Sequence, residues 1–581
     1  MMPINLPFIS FLLCLLLVAC SEKKTQTTEE TNILEETPDF RIQRMIESEE
    51  LILKLTPKLH GLGASLVNDP TGGLAAEVAK MSPWNKLDPN HRWVSASFGT
   101  LAAEFKEGRF VMKTKFEGVR RGDDGVIVGV KAKQKMHLEK EMGEEENWKL
   151  VHWETLSFET DESPQPMFEE VLDKVIPDSV AREKARHSYQ QEAIIKSFAG
   201  NKKEDIVGLF TVTNPPSSDL GIDSTYQYPT VSVVDYDGDG YEDIFLSARW
   251  VEPQLFRNQG DGTYADVTAE SGLNAYGNVN FALFADFDND GDPDALLGRA
   301  KGQAIYYRND GGKFTDVTNT LSDLYGQYFV SSAAVSDVNG DGLLDVYLST
   351  YSSRSLGTEW MEKYLSREES AAFKEILKTN VKFLDERGMA NVLLMNRGGG
   401  RLVRAGGEVV KLWRKSYQPL FFDADNDGDE DLYVCNDFGP DTFLRNDTPR
   451  GAAEPLFVDA YAETFPEGQM AFGMGASVGD YDNDGDLDLF ISNMYSKAGN
   501  RIVPAMGQTD PRILVAARGN FLYRNDGGVF KQVAKADAAE TKVGWAFGGQ
   551  FADFNNDGWL DLYVPSGLYS APKEVATAVD L

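Results

Sequence analysis

DYDNDGDLDLF, residues 480–490, sets aspartates at 480, 482, 484, 486 and 488 within nine positions. Two unit charges ~5 Å apart repel by roughly 1–3 kcal/mol at a surface-like dielectric. On a strand, alternate residues share one face, so five carboxylates would crowd together with nothing to neutralise them. Wrapped around a hard divalent cation, which takes about six to eight oxygen ligands, the same charges become binding free energy.

Nine-residue loops of this kind begin at Asp235, Asp286, Asp337, Asp423, Asp480 and Asp553. They read DYDGDGYED, DFDNDGDPD, DVNGDGLLD, DADNDGDED, DYDNDGDLD and DFNNDGWLD, and share the rule D-x-[DN]-x-D-G-x-x-D. Positions 1, 3, 5 and 9 carry side-chain oxygens, and glycine at position 6 permits the turn that gathers them. The candidate metal ligands are therefore Asp235, Asp237, Asp239 and Asp243; Asp286, Asp288, Asp290 and Asp294; Asp337, Asn339, Asp341 and Asp345; Asp423, Asp425, Asp427 and Asp431; Asp480, Asp482, Asp484 and Asp488; and Asp553, Asn555, Asp557 and Asp561. A backbone carbonyl near position 7 would add to each set. The loops hold no His or Cys, which disfavours zinc, and Mg2+ demands stricter geometry and keeps its waters, so Ca2+, about six ions, is expected. An EF-hand is excluded, because position 12 is Leu246, Leu297, Leu348, Val434, Ile491 or Val564 and never Glu. Asn339 and Asn555 keep an oxygen but lose a charge, so their two sites should be weaker.

The loops recur at 51, 51, 86, 57 and 73 residues, periods that mean a propeller or a solenoid. Each unit has four apolar segments; in the first they are TVSVV, DIFLSA, QLFRN and YADVT. The acidic loop separates the first two, and a tight turn such as RNQGDG, or RNDGG at 308–312 and 524–528, separates the last two. Four short strands joined by hairpins describe a propeller blade. The expected fold is mainly β: a propeller of four-stranded antiparallel sheets over 201–581, six blades favoured and seven the alternative, preceded by a small α+β domain over 39–200. The segment 207–213 resembles a fourth strand and could close the ring. An insertion near 357–386 has helical spacing.

These loops, the run FGMGASVGDYDNDGD (472–486), and the pairs LFRNQGDGTYADVTAESGL (255–273) and YYRNDGGKFTDVT (306–318) resemble the FG-GAP/VCBS repeats. The nearest likeness is to the cartilage-acidic-protein-like family of secreted proteins, whose propeller is similar to the integrin α head. That resemblance implies a calcium-binding propeller with the ligands named above.

The N-terminus reads PFISFLLCLLLVAC, an apolar run ending Leu17-Val18-Ala19-Cys20. It is too short to span a bilayer, has the character of a secretory segment over 1–19, and resembles a bacterial lipobox, with Cys20 the lipidated residue. Residues 20–38 are polar, as a tether should be. The implied location is the bacterial cell envelope, as an outer-membrane lipoprotein facing periplasm or exterior, with the lipid as the only membrane contact. Of the remaining residues, 39–60 read as an amphipathic helix, 91–160 as an antiparallel sheet and 178–200 as a helix. Formal net charge is −34, which points away from nucleic acid and from anionic membranes bound through a basic face. Cys435 lies in an apolar strand segment.

Gly475-Ala476-Ser477-Val478-Gly479 matches the nucleophile-elbow pattern, but that chemistry needs a strand–turn–helix and a histidine base, and residues 201–581 contain no histidine. No catalytic residue is assigned and no enzyme is expected. The function expected is a tethered module that binds a protein or a glycan, with a carbohydrate-recognising or polysaccharide-cleaving protein as the alternative.

Overall fold

The computed structural model describes residues 38–68, 82–187 and 230–566, with breaks at 107–108, 141–147, 166–167, 248–251, 274, 276–278, 300–301, 352–387, 469, 496–509 and 534–543. The leader with Cys20, the segment 207–213 and the insertion near 357–386 lie outside the described residues. The chain divides into two compact units, which in described residues are 38–170 with Asp510, and 171–495 with 511–566.

In the first unit, α1 (Pro38–Asn68) sets Leu51, Ile52, Leu55, Leu59 and Leu66 on one apolar stripe. It packs on an antiparallel sheet of β1 (Arg92–Lys106), β2 (Arg109–Arg121), β3 (Ile127–Lys140) and β4 (Trp148–Ser163), in that order. Phe98, Phe110, Met112, Phe116, Val130, Ala132 and Met136 form the inner face. The helix expected to end near residue 60 runs on to Asn68. A Cβ on Gly63 would strike the Ala96 carbonyl, so glycine there lets the last turns lie close on β1.

The second unit is a succession of meanders. They are β5 to β8 (Thr230–Val234, Asp243–Ser247, Gln254–Asn258, Tyr264–Asp266), β9 to β12 (Val279–Ala285, Asp294–Arg299, Ile305–Asn309, Phe314–Asp316), β13 to β16 (Val330–Ser336, Asp345–Thr350, Val392–Asn396, Leu402–Arg404), β17 to β20 (Lys415–Phe422, Asp431–Asp437, Thr442–Asn446, Phe457–Asp459) and β21 to β24 (Gly473–Gly479, Asp488–Asn493, Phe521–Asn525, Phe530–Gln532). A sixth sheet contains β25 (Gln550–Ala552) and β26 (Asp561–Tyr563) among the described residues. Each acidic loop joins the first strand of its sheet to the second. The fold is mainly β and propeller-like.

The inner sheets are apolar on both faces because each is packed on both. Ala295 and Leu297 of β10 meet Phe245 and Leu255 of the first sheet, while Leu296 between them meets Val346 and Leu348 of the third. Gly475–Gly479 lies inside β21, with Ser477 buried and accepting a hydrogen bond from Phe551 N at 3.4 Å; the elbow geometry is not there.

First strands of successive sheets lie side by side and are stitched by short polar side chains. Thr230 and Ser232 donate to the Asn280 and Ala282 carbonyls at 3.0 and 2.6 Å. Asn280 donates to Val330 O at 2.8 Å, and Ser331 to Ser416 O at 2.7 Å. The Gln418 amide exchanges hydrogen bonds with Ala476 N and O at 3.2 and 3.1 Å.

A second joint comes from the asparagine ending each third strand. The side chains of Asn309, Asn396, Asn446 and Asn525 donate to Tyr236, Phe287, Val338 and Ala424 carbonyls of the preceding sheet's acidic loop, at 2.8, 2.7, 3.0 and 2.8 Å. Each also donates to a carbonyl of its own loop, for example Asn396 to Leu344 O at 3.3 Å. In the first sheet, Asn258 donates to Glu242 O of its own loop at 3.2 Å. The face of that sheet turned away from the second sheet is covered by α2 (Leu172–Val175) and α3 (Ser179–Arg186), through Ile176 and Ala181 against Phe256, Ile244 and Leu246.

Asn396→Ala strands two carbonyls in a buried setting and should cost about 1–3 kcal/mol in denaturant titration. Asn258→Ala, which breaks no joint between sheets among the described residues, should cost less.

Candidate metal centres

The six loops share one hydrogen-bond scaffold. In the fifth, Asp480 at position 1 accepts from Asp484 N and Gly485 N, both at 3.0 Å. Asp484 at position 5 accepts from Asp486 N at 3.0 Å. The same bonds recur with Asp235, Asp286, Asp337, Asp423 and Asp553 at position 1. They curl the chain so that carboxylates at positions 1, 3 and 5 converge.

In four loops the three carboxylates bring ligand atoms within 4.8 Å of one another: Asp235–Asp237–Asp239, Asp286–Asp288–Asp290, Asp423–Asp425–Asp427 and Asp480–Asp482–Asp484. These triplets could hold a metal ion. The Oδ1 atoms of Asp237, Asp288 and Asp482, all at position 3, are buried with no hydrogen-bond partner. A cation is the partner such an oxygen lacks, so the residues present fit a hard, oxygen-seeking ion. Burial and the adjacent carboxylates push Asp237, Asp288, Asp425 and Asp482 above the usual carboxylate range.

Loops three and six have asparagine at position 3. The Asn339 side chain is buried, and its amide donates to Asp341 Oδ2 at 3.0 Å and to Ala452 O at 2.8 Å. Here a neutral hydrogen-bond brace stands where the other loops place a third negative charge. In loop six, Asn555 Oδ1 accepts from Asp557 N at 2.9 Å.

Position 9 plays a separate part. Asp243, Asp294, Asp345, Asp431 and Asp488 are buried at the start of the second strand. Each accepts from the backbone N–H of position 2 in its loop and, more tightly, from the asparagine N–H ending the third strand: Tyr236 and Asn258, Phe287 and Asn309, Val338 and Asn396, Ala424 and Asn446, Tyr481 and Asn525. Asp561 accepts from Phe554 N at 3.2 Å. A carboxylate offers about four lone-pair sites, so these bonds leave capacity facing the triplet. Burial, the largest effect, lifts Asp294, Asp345 and Asp431 to about 7, and Asp243 and Asp488 to about 6, against the backbone donors that lower them.

Position 4, unspecified in the D-x-[DN]-x-D-G-x-x-D rule, follows a rule of its own in the structure. Gly238, Asn289, Gly340, Asn426, Asn483 and Asn556 all have positive φ, from 57° to 71°, a conformation Gly and Asn tolerate best. The signal was present, since only G and N occur there. Three of these asparagines also reach the next loop: Asn289 to Gly342 O at 3.1 Å, Asn426 to Asp486 Oδ1 at 2.8 Å and Asn483 to Gly558 O at 3.4 Å. Loops two and three, four and five, and five and six are therefore joined directly.

A second polar group, unforeseen from sequence, lies at the strand ends opposite these loops. Tyr351 Oη donates to Asp437 Oδ2 at 2.7 Å and stacks on Tyr417 at 4.5 Å. Buried Lys415 sits 4.8 Å from the Phe438 ring centroid and 5.7 Å from that of Tyr351. In the other unit, His137 and His152 pair across β3 and β4 with ring centroids 5.1 Å apart. Cys435 is fully buried in β18.

A family model described as an FG-GAP-like repeat matches four stretches: 235–297, 286–348, 423–491 and 510–564. No curated protein matches the sequence. Among solved structures, the crystal structure of a GH43_1 enzyme from Xanthomonas citri is similar at 12% identity and a TM-score of 0.27, over 53% of this chain and 92% of that one.

The raised carboxyls set a pH dependence for chelated protein. A carboxyl whose folded pKa exceeds its unfolded value of ~4 contributes stability below the unfolded value and loses it as pH rises through the folded one. For Asp294, Asp345 and Asp431 the folded value is about 7. The EGTA-treated protein should therefore lose a stabilising contribution as pH climbs through this window. With saturating Ca2+ the sign reverses, because protons compete with the cation. Melting curves against pH, with and without chelator, measure the difference.

Proposed function

We propose that this chain, with its four FG-GAP-like repeats, is a calcium-stabilised β-propeller held at the bacterial cell envelope, where it works as a protein- or glycan-binding module. The observation carrying the calcium reading is the buried, partnerless Oδ1 at position 3 of three separate loops. A cation there would neutralise charge that the folded chain otherwise confines, and the hard-oxygen ligand set favours Ca2+. About six ions are proposed, those of loops three and six being weaker because Asn339 and Asn555 carry no charge. The envelope tether is supported by the apolar run ending at Cys20.

A second reading, a carbohydrate-cleaving protein, is favoured by one observation. Tyr351, Asp437 and Lys415 form a non-loop group of hydrogen-bonding and titratable side chains. A product assay on polysaccharides with wild type and Asp437→Asn separates the two readings: turnover lost in the variant supports cleavage, and no turnover in either supports the binding module.

Ligands that bind only the native state raise its stability. EGTA should lower the melting temperature by many degrees, and metal analysis of the native protein should find bound calcium. Asp484→Ala should reduce the calcium stoichiometry by one site while the other loops still load. An unchanged melting temperature on chelating fully loaded protein would refute the calcium reading.

A further inference from the structure

The N-terminal sheet carries a basic face that the net charge of −34 conceals. On β2 and β3, residues facing α1 are buried: Met112, Thr114 and Phe116, then Val130, Ala132, Gln134 and Met136. The residues between them point the other way, and five are lysines. Lys113 lies directly opposite Lys135, and Lys115 opposite Lys133, with Lys131 opposite Glu117. Like charges directly opposite one another on a sheet are destabilising, and here two such pairs are adjacent.

Lys115 pairs with Glu117 at 2.7 Å. Among the described residues Lys113, Lys131, Lys133 and Lys135 form no salt bridge. Lys113, Lys131 and Lys133 are exposed, and Lys115 and Lys135 half-buried. The flanking strands leave the lysines standing proud. Across from Lys115 and Lys113 on β1 are Gly99 and Ala102, and across from Lys133 on β4 is Ser157. Glu154 and Glu159 on β4, opposite Lys135 and Lys131, make no ion pair with them. Besides burial, electrostatic repulsion from Lys135, His152 and Arg109 holds His137 beside the patch below its ordinary pKa.

We propose that the outer face of β2 and β3 docks a linear polyanion, an acidic polysaccharide with repeated carboxylates. Lysines sit in rows ~6.6 Å apart along the strands and ~5 Å apart across them, a two-column ladder suited to a chain bearing one negative charge per sugar. A narrow polymer needs attraction only within a Debye length of ~8 Å. The chain's net charge of −34 opposes attachment to an extended anionic membrane. Single-stranded nucleic acid usually gains affinity by stacking bases on aromatic side chains; the residues across from these lysines on β1 and β4 are Gly99, Ala102, Ser157, Glu154 and Glu159, and the rings at the end of the patch, His137 and His152, are packed edge to face on each other. The site uses no residue of the acidic loops and does not depend on the calcium reading, though it gives the glycan-binding role a specific address.

The test is fluorescence anisotropy with the full chain and labelled oligogalacturonate, beside neutral dextran, single-stranded DNA and phosphatidylglycerol vesicles. Lys131→Ala/Lys133→Ala/Lys135→Ala should weaken oligogalacturonate binding by about tenfold or more, and binding should fall steeply with added salt. The corresponding triple arginine variant should bind as wild type, and both variants should keep the wild-type melting curve and its response to EGTA. The proposal is overturned if oligogalacturonate does not bind, if dextran binds equally, if DNA or vesicles bind more tightly, or if the alanine variant binds as wild type. Loss of the EGTA response in wild type with intact glycan binding would count against the calcium reading alone.

Discussion

The second unit depends on a buried carboxylate repeated in every complete sheet. Asp243, Asp294, Asp345, Asp431 and Asp488 each tie three pieces of backbone together: the entrance of the acidic loop, the start of the second strand and the end of the third. An ionised carboxylate is a strong acceptor, and burying it without partners is expensive. Two backbone donors make the burial tolerable and fix where the loop sits. In the second to fifth sheets the asparagine whose N–H completes this bond then extends its side chain to the preceding sheet. Loop geometry and blade packing are thus set by one local arrangement.

Upon that arrangement sits an electrostatic conflict. The scaffold draws positions 1, 3 and 5 together, while burial and mutual repulsion push the position 3 carboxylates toward protonation. A protein could relieve this with asparagine, as Asn339 does through its amide. In four loops the charge is kept instead. Retaining an unfavourable charge, with an oxygen left partnerless at three of those sites, is what a cation-binding loop requires and what a merely structural turn would avoid.

Much of this could be read in the chain. The spacing of acidic loops and hairpin turns marks four-strand units, and the D-x-[DN]-x-D-G-x-x-D rule marks the residues that converge. That position 9 also holds backbone is not legible in the chain, because sequence shows which side chains carry oxygen and not which of them are bonded to backbone. The asparagine joints were hidden for a related reason: Asn309 and Asn396 look like turn residues, and the carbonyls they reach lie 73 and 109 residues away. Tyr351, Asp437 and Lys415 are distant in sequence and ordinary in type. The lysine ladder was lost in an average, because a chain-wide charge sums over two units and says nothing of which faces carry it.

Because the asparagine joint draws its donor and acceptor from equivalent positions of adjoining sheets, a copied unit would arrive with both halves of the coupling. Such an array lends itself to growth by gene duplication without redesign at the junction. Among the described residues this coupling draws on none in the connections from second to third strand, and the long stretches 352–387 and 496–509 fall in those connections. There, extra sequence can be grafted while the repeated joints keep their geometry.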